Sequence, residues 1–252
     1  MSRYSVYLEI GDEGQCMVHV LDLPGCAVRA LNREVVLHRL PSAIVEYFAW
    51  LRYHGETVPT EDEPIEIEFA EESTGFGPFN PGDAAALFSP DKKPVFPGEM
   101  EDYFRLIGYA RDDLLRTVKE LPEEVLDWQA GPHAFSIRRL LRHIGNAEQW
   151  YVSRLVPPKT LPPEWEHDEH LPIFEFLEME RRTALERLRQ LTDQERVEIF
   201  RPTQWTNHPE EPWTTRKVLR RFLEHEREHT DQIREMLCEY RALPRSLILK
   251  TR

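Results

Sequence analysis

Cysteine is scarce in this sequence. Cys16, Cys26 and Cys238 are the whole supply among 252 residues. The number is odd and the spacing matches no zinc or redox pattern. A disulfide framework is therefore not expected, and a reducing, cytoplasmic setting fits. Any metal must then rely on His, Asp or Glu. Long apolar runs are missing as well: none nears the length that crosses a bilayer, so no membrane part is expected. Met1-Ser2-Arg3-Tyr4 leads straight into strand-like alternation, and no signal peptide is expected. Basic charge is the third scarcity. Lys+Arg number 32 against 45 Asp+Glu, a formal net charge of −13, and residues 1–95 carry 7 against 16. Such a surface repels phosphate backbones, and no basic stripe or helix-turn-helix offsets it, so nucleic acid is not an expected partner.

What is present divides the chain. Tyr4-Ser5-Val6-Tyr7-Leu8-Glu9-Ile10 alternates with period two and reads as a strand, followed by the turn Gly11-Asp12-Glu13-Gly14. Met17 to Val20 pairs back as a hairpin, and Ala27 to Ala30 reads as a third strand. Residues 33–53 switch to helical spacing through Val36, Leu40, Ile44, Phe48 and Leu51, and His54-Gly55 ends that helix. Ile65 to Phe69 alternates again as a last strand. The expectation is an α+β module over residues 1–72. The order of these elements, with Leu21-Asp22-Leu23-Pro24-Gly25-Cys26 as its most specific piece, resembles the HicB-like modules of toxin–antitoxin proteins over residues 3–70. Relatives of that kind often carry a separate DNA-binding segment after the module; none is found here.

Residues 73–97 are rich in Gly and Pro and suit a linker. Phe76, Phe79, Leu87, Phe88 and Phe96 give that stretch apolar groups that can pack along a domain surface. From 98 to 243 the pattern is helical, with amphipathic stretches over about 99–121, 136–155, 173–191 and 214–240. Ser136 is a good N-cap for the second. Four such stretches predict an all-α up-down four-helix bundle, and the long 155–172 connection allows one crossover between parallel neighbours.

Three histidines interrupt apolar stripes of this bundle. In the last helix the stripe runs Val218, Phe222, His225, His229, Ile233, Met236, Tyr240; in the second it runs Leu140, His143, Ala147, Trp150. A buried imidazole without a partner costs about 1–3 kcal/mol. One divalent metal, Zn, Ni or Fe, would serve all three rings, with two ligands at i and i+4 of one helix and a third from a facing helix. On pattern alone the alternative stands beside it: an i,i+4 pair flanked by Glu224, Glu226, Arg227 and Glu228 also suits a solvated helix face.

Phe135-Ser136-Ile137-Arg138-Arg139-Leu140-Leu141-Arg142-His143-Ile144, then Glu148-Gln149-Trp150-Tyr151, resembles the second helix of the DinB-like family. Trp213-Thr214-Thr215-Arg216-Lys217-Val218-Leu219 followed by His225-Glu226-Arg227-Glu228-His229-Thr230-Asp231-Gln232-Ile233 is similar to its last helix, and Asp127-Trp128 and Gly131-Pro132 fit as well. The resemblance, over residues 98–240, implies a four-helix bundle (DinB/YfiT type) holding a divalent metal through His143, His225 and His229. It also implies thiol-dependent S-transfer or isomerisation on a small-molecule substrate, with a low-molecular-weight thiol as co-substrate.

Residues 225–229 also satisfy H-E-x-x-H, in which Glu226 would be a general base. The extended protease form wants Gly at 232 and His at 235, where this chain has Gln232 and Glu235. Two further readings stay open: metal-dependent hydrolysis, and a non-catalytic metal-binding or protein-interaction module. Glu148 is the nearest candidate for a fourth ligand that would close the site. The acidic segment from Glu164 to His170, containing His167, is expected as a solvated connection that can cover the metal pocket. Cys238 is expected to pack as a small apolar residue, and leftover apolar bundle faces allow a homodimer.

Overall fold

Turn chemistry and period-two alternation build the N-terminal unit. In the computed structural model, which describes residues 2–59, 64–74, 86–156, 161–166, 168–206 and 208–243, strands β1 (Ser2–Ile10) and β2 (Cys16–His19) form an antiparallel hairpin. β3 (Ala27–Ala30) adds antiparallel to β2. Helix α1 (Arg33–Tyr53) starts at Asn32, whose side chain accepts the Val35 N–H at 2.9 Å. β4 (Ile65–Thr74) then returns parallel to β1, giving the sheet order β3-β2-β1-β4. It runs five residues past the expected end at Phe69.

Both faces of this sheet are covered. Val6, Leu8, Val18 and Val28 pack on Val36, Leu40, Ile44 and Phe48 of α1. The opposite face is covered too: Tyr7, Glu9, Met17 and His19 are all buried. Tyr7 and His19 lie on Phe88, with ring centroids 5.3 and 5.5 Å apart. Phe88 thus packs as expected of the connecting segment, whereas Phe96 stays 67% exposed. Phe76 and Phe79 lie outside the described residues.

The remainder folds as α2 (Pro97–Val118), a short α3 (Glu123–Leu126), α4 (Ile137–Ser153), α5 (Ile173–Arg189) and α6 (Thr215–Ala242). Ser136 and Thr214 cap α4 and α6, each side chain accepting a backbone N–H at 3.2 Å; such caps contribute about 1 kcal/mol apiece. The one-turn α3 was not anticipated. Two apolar clusters fill the bundle. One holds Ile107 of α2, Val152 of α4, Leu188 of α5 and Phe222 of α6. The other holds Leu114, Ile144, Phe176 and Ile233 of the same four helices. Along α2 and α6 the chain passes from the first cluster to the second; along α4 and α5 it passes from the second to the first. The order is thus up, down, down, up. Simple up-down alternation gives way to the crossover that the long 154–172 connection makes possible.

Between the two clusters lies an ionic layer. Arg111 of α2 and Arg181 of α5 face Glu148 of α4 and Glu226 of α6, all four buried. Arg181 reaches Glu148 at 2.7 Å and Glu226 at 2.7 Å, Arg111 reaches Glu226 at 2.6 Å, and Arg111 also pairs with Glu148. Each helix supplies one corner, so the layer ties all four together. Each buried charge has two opposite partners, which is the condition under which burial of ions is tolerated.

Candidate metal centre

α4 and α6 bring the three histidines to one point. Nε2 of His225 lies 3.1 Å from Nε2 of His143 and 3.2 Å from Nε2 of His229. The ligand atoms of all three lie within 4.8 Å of one another. His225 and His229 are buried, and His143 is half-buried. A tetrahedral ion with imidazole bonds of 2.0–2.1 Å sets neighbouring nitrogens about 3.3 Å apart, so the spacing fits a shared cation. The electrostatics agree with neutral, lone-pair-bearing rings. Burial, reinforced by neighbouring His229, holds His225 well below the ordinary histidine range. Burial also lowers His229, to about 4.

The tautomer of His229 is set by α6 itself. Its Nδ1–H donates to Oε1 of Gln232, one turn on, at 2.8 Å. Nε2 is thereby left with its lone pair facing His225. Tyr151 lines the other side, its ring 5.7 Å from that of His225.

Two of the carboxylates singled out in the sequence do not join this cluster. Glu226, read as a general base through H-E-x-x-H, has Oε1 on Arg111 and Oε2 on Arg181. Glu148, watched as a fourth ligand, is held by the same two arginines. Both belong to the ionic layer and pair with its arginines, not with the histidines. Helical geometry explains this: Glu226 is one residue, hence about 100°, around α6 from His225. Cys238 is exposed instead of packed. His170 is exposed, His167 lies outside the described residues, and Asp168 is buried against Gln149 of α4.

The surroundings missed in the sequence come from the N-terminal unit. His19 of β2 sits between Glu9, 3.2 Å from its Nε2, and Glu224, 2.8 Å from its Nδ1. Glu224 also accepts from Arg220 and Arg221 at 3.1 and 2.9 Å, and its carboxyl is held far below the usual range despite burial, by Arg220 and His19. Arg29 of β3 pairs with Glu228 at 2.5 Å. Gly25, at φ +90°, lies so close to α6 that a Cβ there would stand 2.6 Å from Leu223 Cγ. Its carbonyl accepts from Arg227 at 3.1 Å. The turn of α6 that carries His225 is thus clasped by β2, β3 and their connecting loop. The one signal in the sequence was the Pro24-Gly25 turn; nothing in it named its neighbour.

Comparison with known proteins adds the following. No curated protein matches the chain. Among solved structures it is similar to YfiT from Bacillus subtilis, described as "a probable metal-dependent hydrolase with an unusual four-helix bundle topology". The two share 16% identity at a TM-score of 0.44, over 59% of this chain and 91% of that one. The family model of the DinB superfamily matches residues 107–233, half of the chain, beginning within α2 and taking in His143, His225 and His229. The sheet and α1 lie outside that match, and through its helical part the chain belongs to the DinB superfamily.

Proposed function

We propose that the protein binds one divalent metal through Nε2 of His143, His225 and His229, and that it catalyses transfer of a low-molecular-weight thiol to a small electrophile. The observation that carries the metal reading is the convergence of the three Nε2 atoms at 3.1 and 3.2 Å. Such a spacing, with both α6 rings kept neutral, leaves lone pairs crowded unless a cation or a proton lies between them. When bound, Zn, Ni or Fe lowers the pKa of a coordinated water or thiol.

The chain's own residues favour thiol transfer over hydrolysis. Hydrolysis of an ester or amide is assisted by a side chain that passes a proton to the leaving group. Glu226 and Glu148 are sequestered by Arg111 and Arg181. Glu228 is engaged by Arg29. A thiol is acidic enough to ionise under a cation's influence without a protein base. In this reading Gln232 orients His229, and Tyr151 shields the apolar side of His225. Metal content by mass spectrometry on tag-free protein tests the first half. About one equivalent is expected in the wild type, lost in His143→Ala and His229→Ala. Protein that stays metal-free after reconstitution would sink the reading. Thiol-dependent consumption of an alkylating electrophile, abolished by the same variants, tests the second half.

A further inference from the structure

The sheet order leaves β3 at an edge, and among the described residues no strand lies on its outer side. A cleft of about 910 Å³ runs along that edge, with β3 as its floor and α1 and α6 as its walls. Val20 N–H donates to the Cys26 carbonyl at 2.9 Å, so Cys26 and Val28 turn their backbone groups towards β2. By alternation Ala27 and Arg29 turn theirs into the cleft. The Arg29 carbonyl accordingly accepts from Arg39 of α1 at 3.0 Å. A strand edge open between two helices is a seat for one more strand. Charge narrows the occupant. The arginines of the cleft are engaged: Arg29 with Glu228, Arg39 with the Arg29 carbonyl, Arg227 with the Gly25 carbonyl and the Trp50 ring. Glu46 of α1 and Glu235 of α6 are exposed and pair with no cation among the described residues. Glu46 stands near Arg227, with which it also lines an adjoining cavity, and Glu235 lies two turns further along α6. The seat thus suits a strand with a basic side chain towards each end.

The chain carries such a sequence next to α6. Leu243 leaves the helix in an extended conformation. The residues after it, outside the described ones, include Arg245-Ser246-Leu247-Ile248-Leu249-Lys250, and residues 244–252 contain no Asp or Glu. We propose that residues 245–250 return along the cleft as a fifth strand, antiparallel to β3, with Arg245 at Glu235 and Lys250 at Glu46. β3 and α6 run in the same direction, Gly25 lying at Arg227 and Arg29 at Glu228. A segment that doubles back from α6 therefore meets β3 antiparallel. The reach fits. From Ala242 back to Glu235 is about 10 Å of helix, which residues 243–245 span when extended. Arg245 and Lys250 then stand about 17 Å apart. The stretch of α6 that lines the cleft, Glu224 to Glu235, is about 16 Å long. Five is an odd number of strand steps, so the two basic side chains point to opposite walls. Glu235 and Glu46 stand on opposite walls, α6 and α1. The covalent tether supplies an effective concentration of about millimolar, so modest contacts suffice. This seat is independent of the metal and of thiol transfer.

Two measurements on the full-length protein test it. Carbodiimide joins a lysine amine to a carboxylate that it touches. Lys250 is expected to link to Glu46 within the monomer, as read by mass spectrometry after proteolysis, and Glu46→Gln should abolish the link. Amide hydrogen exchange followed by NMR gives the second readout. The Ala27 amide, which faces the cleft, is expected to exchange at least about tenfold faster in the double variant Ile248→Pro, Leu249→Pro than in the wild type. The Val28 amide, which faces β2, should keep its rate, and that separates loss of the added strand from loss of the fold. Lys250→Glu should also speed exchange at Ala27, and Glu46→Lys in the same chain should restore it. Equal exchange at Ala27 in wild type and proline variant, or no Lys250–Glu46 link, would overturn the proposal. A link confined to a species of twice the mass would seat the segment on a second copy and overturn it as well.

Discussion

At the scale of residues, Gln232 decides which nitrogen of His229 faces its partners. Gln232→Leu removes the acceptor for Nδ1–H while keeping the side chain's bulk. It is expected to lower metal affinity by about 10–100-fold, the usual cost of losing such a supporting contact, as read by competition with a chromophoric chelator. Glu180 of α5 offers a second test. It is fully buried, pairs with no cation among the described residues, and accepts from Gln149 at 2.7 Å near Asp168. Burial, with Asp168 close by, raises its carboxyl to about 8. A raised acid stabilises the fold while protonated, so its contribution is complete below about pH 4.5, the ordinary value, and is lost as pH rises towards 8. Glu180→Gln should flatten that decline, giving a smaller drop in melting temperature between pH 6 and pH 9 than the wild type shows. The histidines were legible because each broke an apolar stripe. Arg111 and Arg181 are buried in the same core and passed unnoticed, and Glu148 and Glu226 were read for the metal instead of for these arginines. In a chain with 31% charged residues, a charge at such a position resembles a solvated one, and pairing across four helices has no trace in any one of them.

Among elements, α4 and α5 pack closely at Gly145. A Cβ on Gly145 would stand 2.2 Å from Cε1 of Phe176, whose ring also carries the Arg142 guanidinium at 4.0 Å. The ring is fully buried, so it must shift within a packed core. Gly145→Ala is expected to cost about 1–3 kcal/mol through overpacking, outweighing the helix propensity that Ala would add. A urea denaturation midpoint would report it, and an unchanged or raised midpoint would mean that the two helices can separate cheaply. Helix positions were read well because capping and periodicity are local: Ser136 and Thr214 start α4 and α6 as capping chemistry predicts. α2 begins at Pro97, two residues before the expected Glu99, since proline is tolerated where the N–H has no helical partner. Helix direction was less legible, because nothing local distinguishes a long loop that reverses the chain from one that carries it back to the same end.

For the whole molecule, the sheet unit and the bundle share buried charge. Arg220 of α6 bonds Asp91 at 2.9 Å and Glu224 at 3.1 Å, and Glu224 in turn holds Nδ1 of His19 at 2.8 Å. Trp50 of α1 donates to Asp113 of α2 at 2.7 Å. Glu224→Ala would leave Arg220, Arg221 and His19 without their shared anion. A loss of about 3–5 kcal/mol is expected, the typical cost of breaking a buried ion pair from one side. Because the network spans both parts, chemical unfolding of the wild type should show one transition. Trp50 fluorescence at the junction and helix ellipticity should move together; separate midpoints would show that the parts unfold independently.

What the sequence by itself determined is what depends on neighbours along the chain. Strands followed from alternation, helices from 3.6-residue spacing and caps, and the histidine cluster from three rings on stripes that had to face one core. The tertiary structure alone decided the rest: that Glu226 belongs to an ionic layer and not to the histidines, that α4 and α5 run parallel, and that both faces of the sheet are covered. It also set β3 beside α6, where Arg29 meets Glu228. These outcomes depend on which surfaces meet across 33 to 199 residues of chain, where charge pairing and packing are settled jointly and leave no period to read.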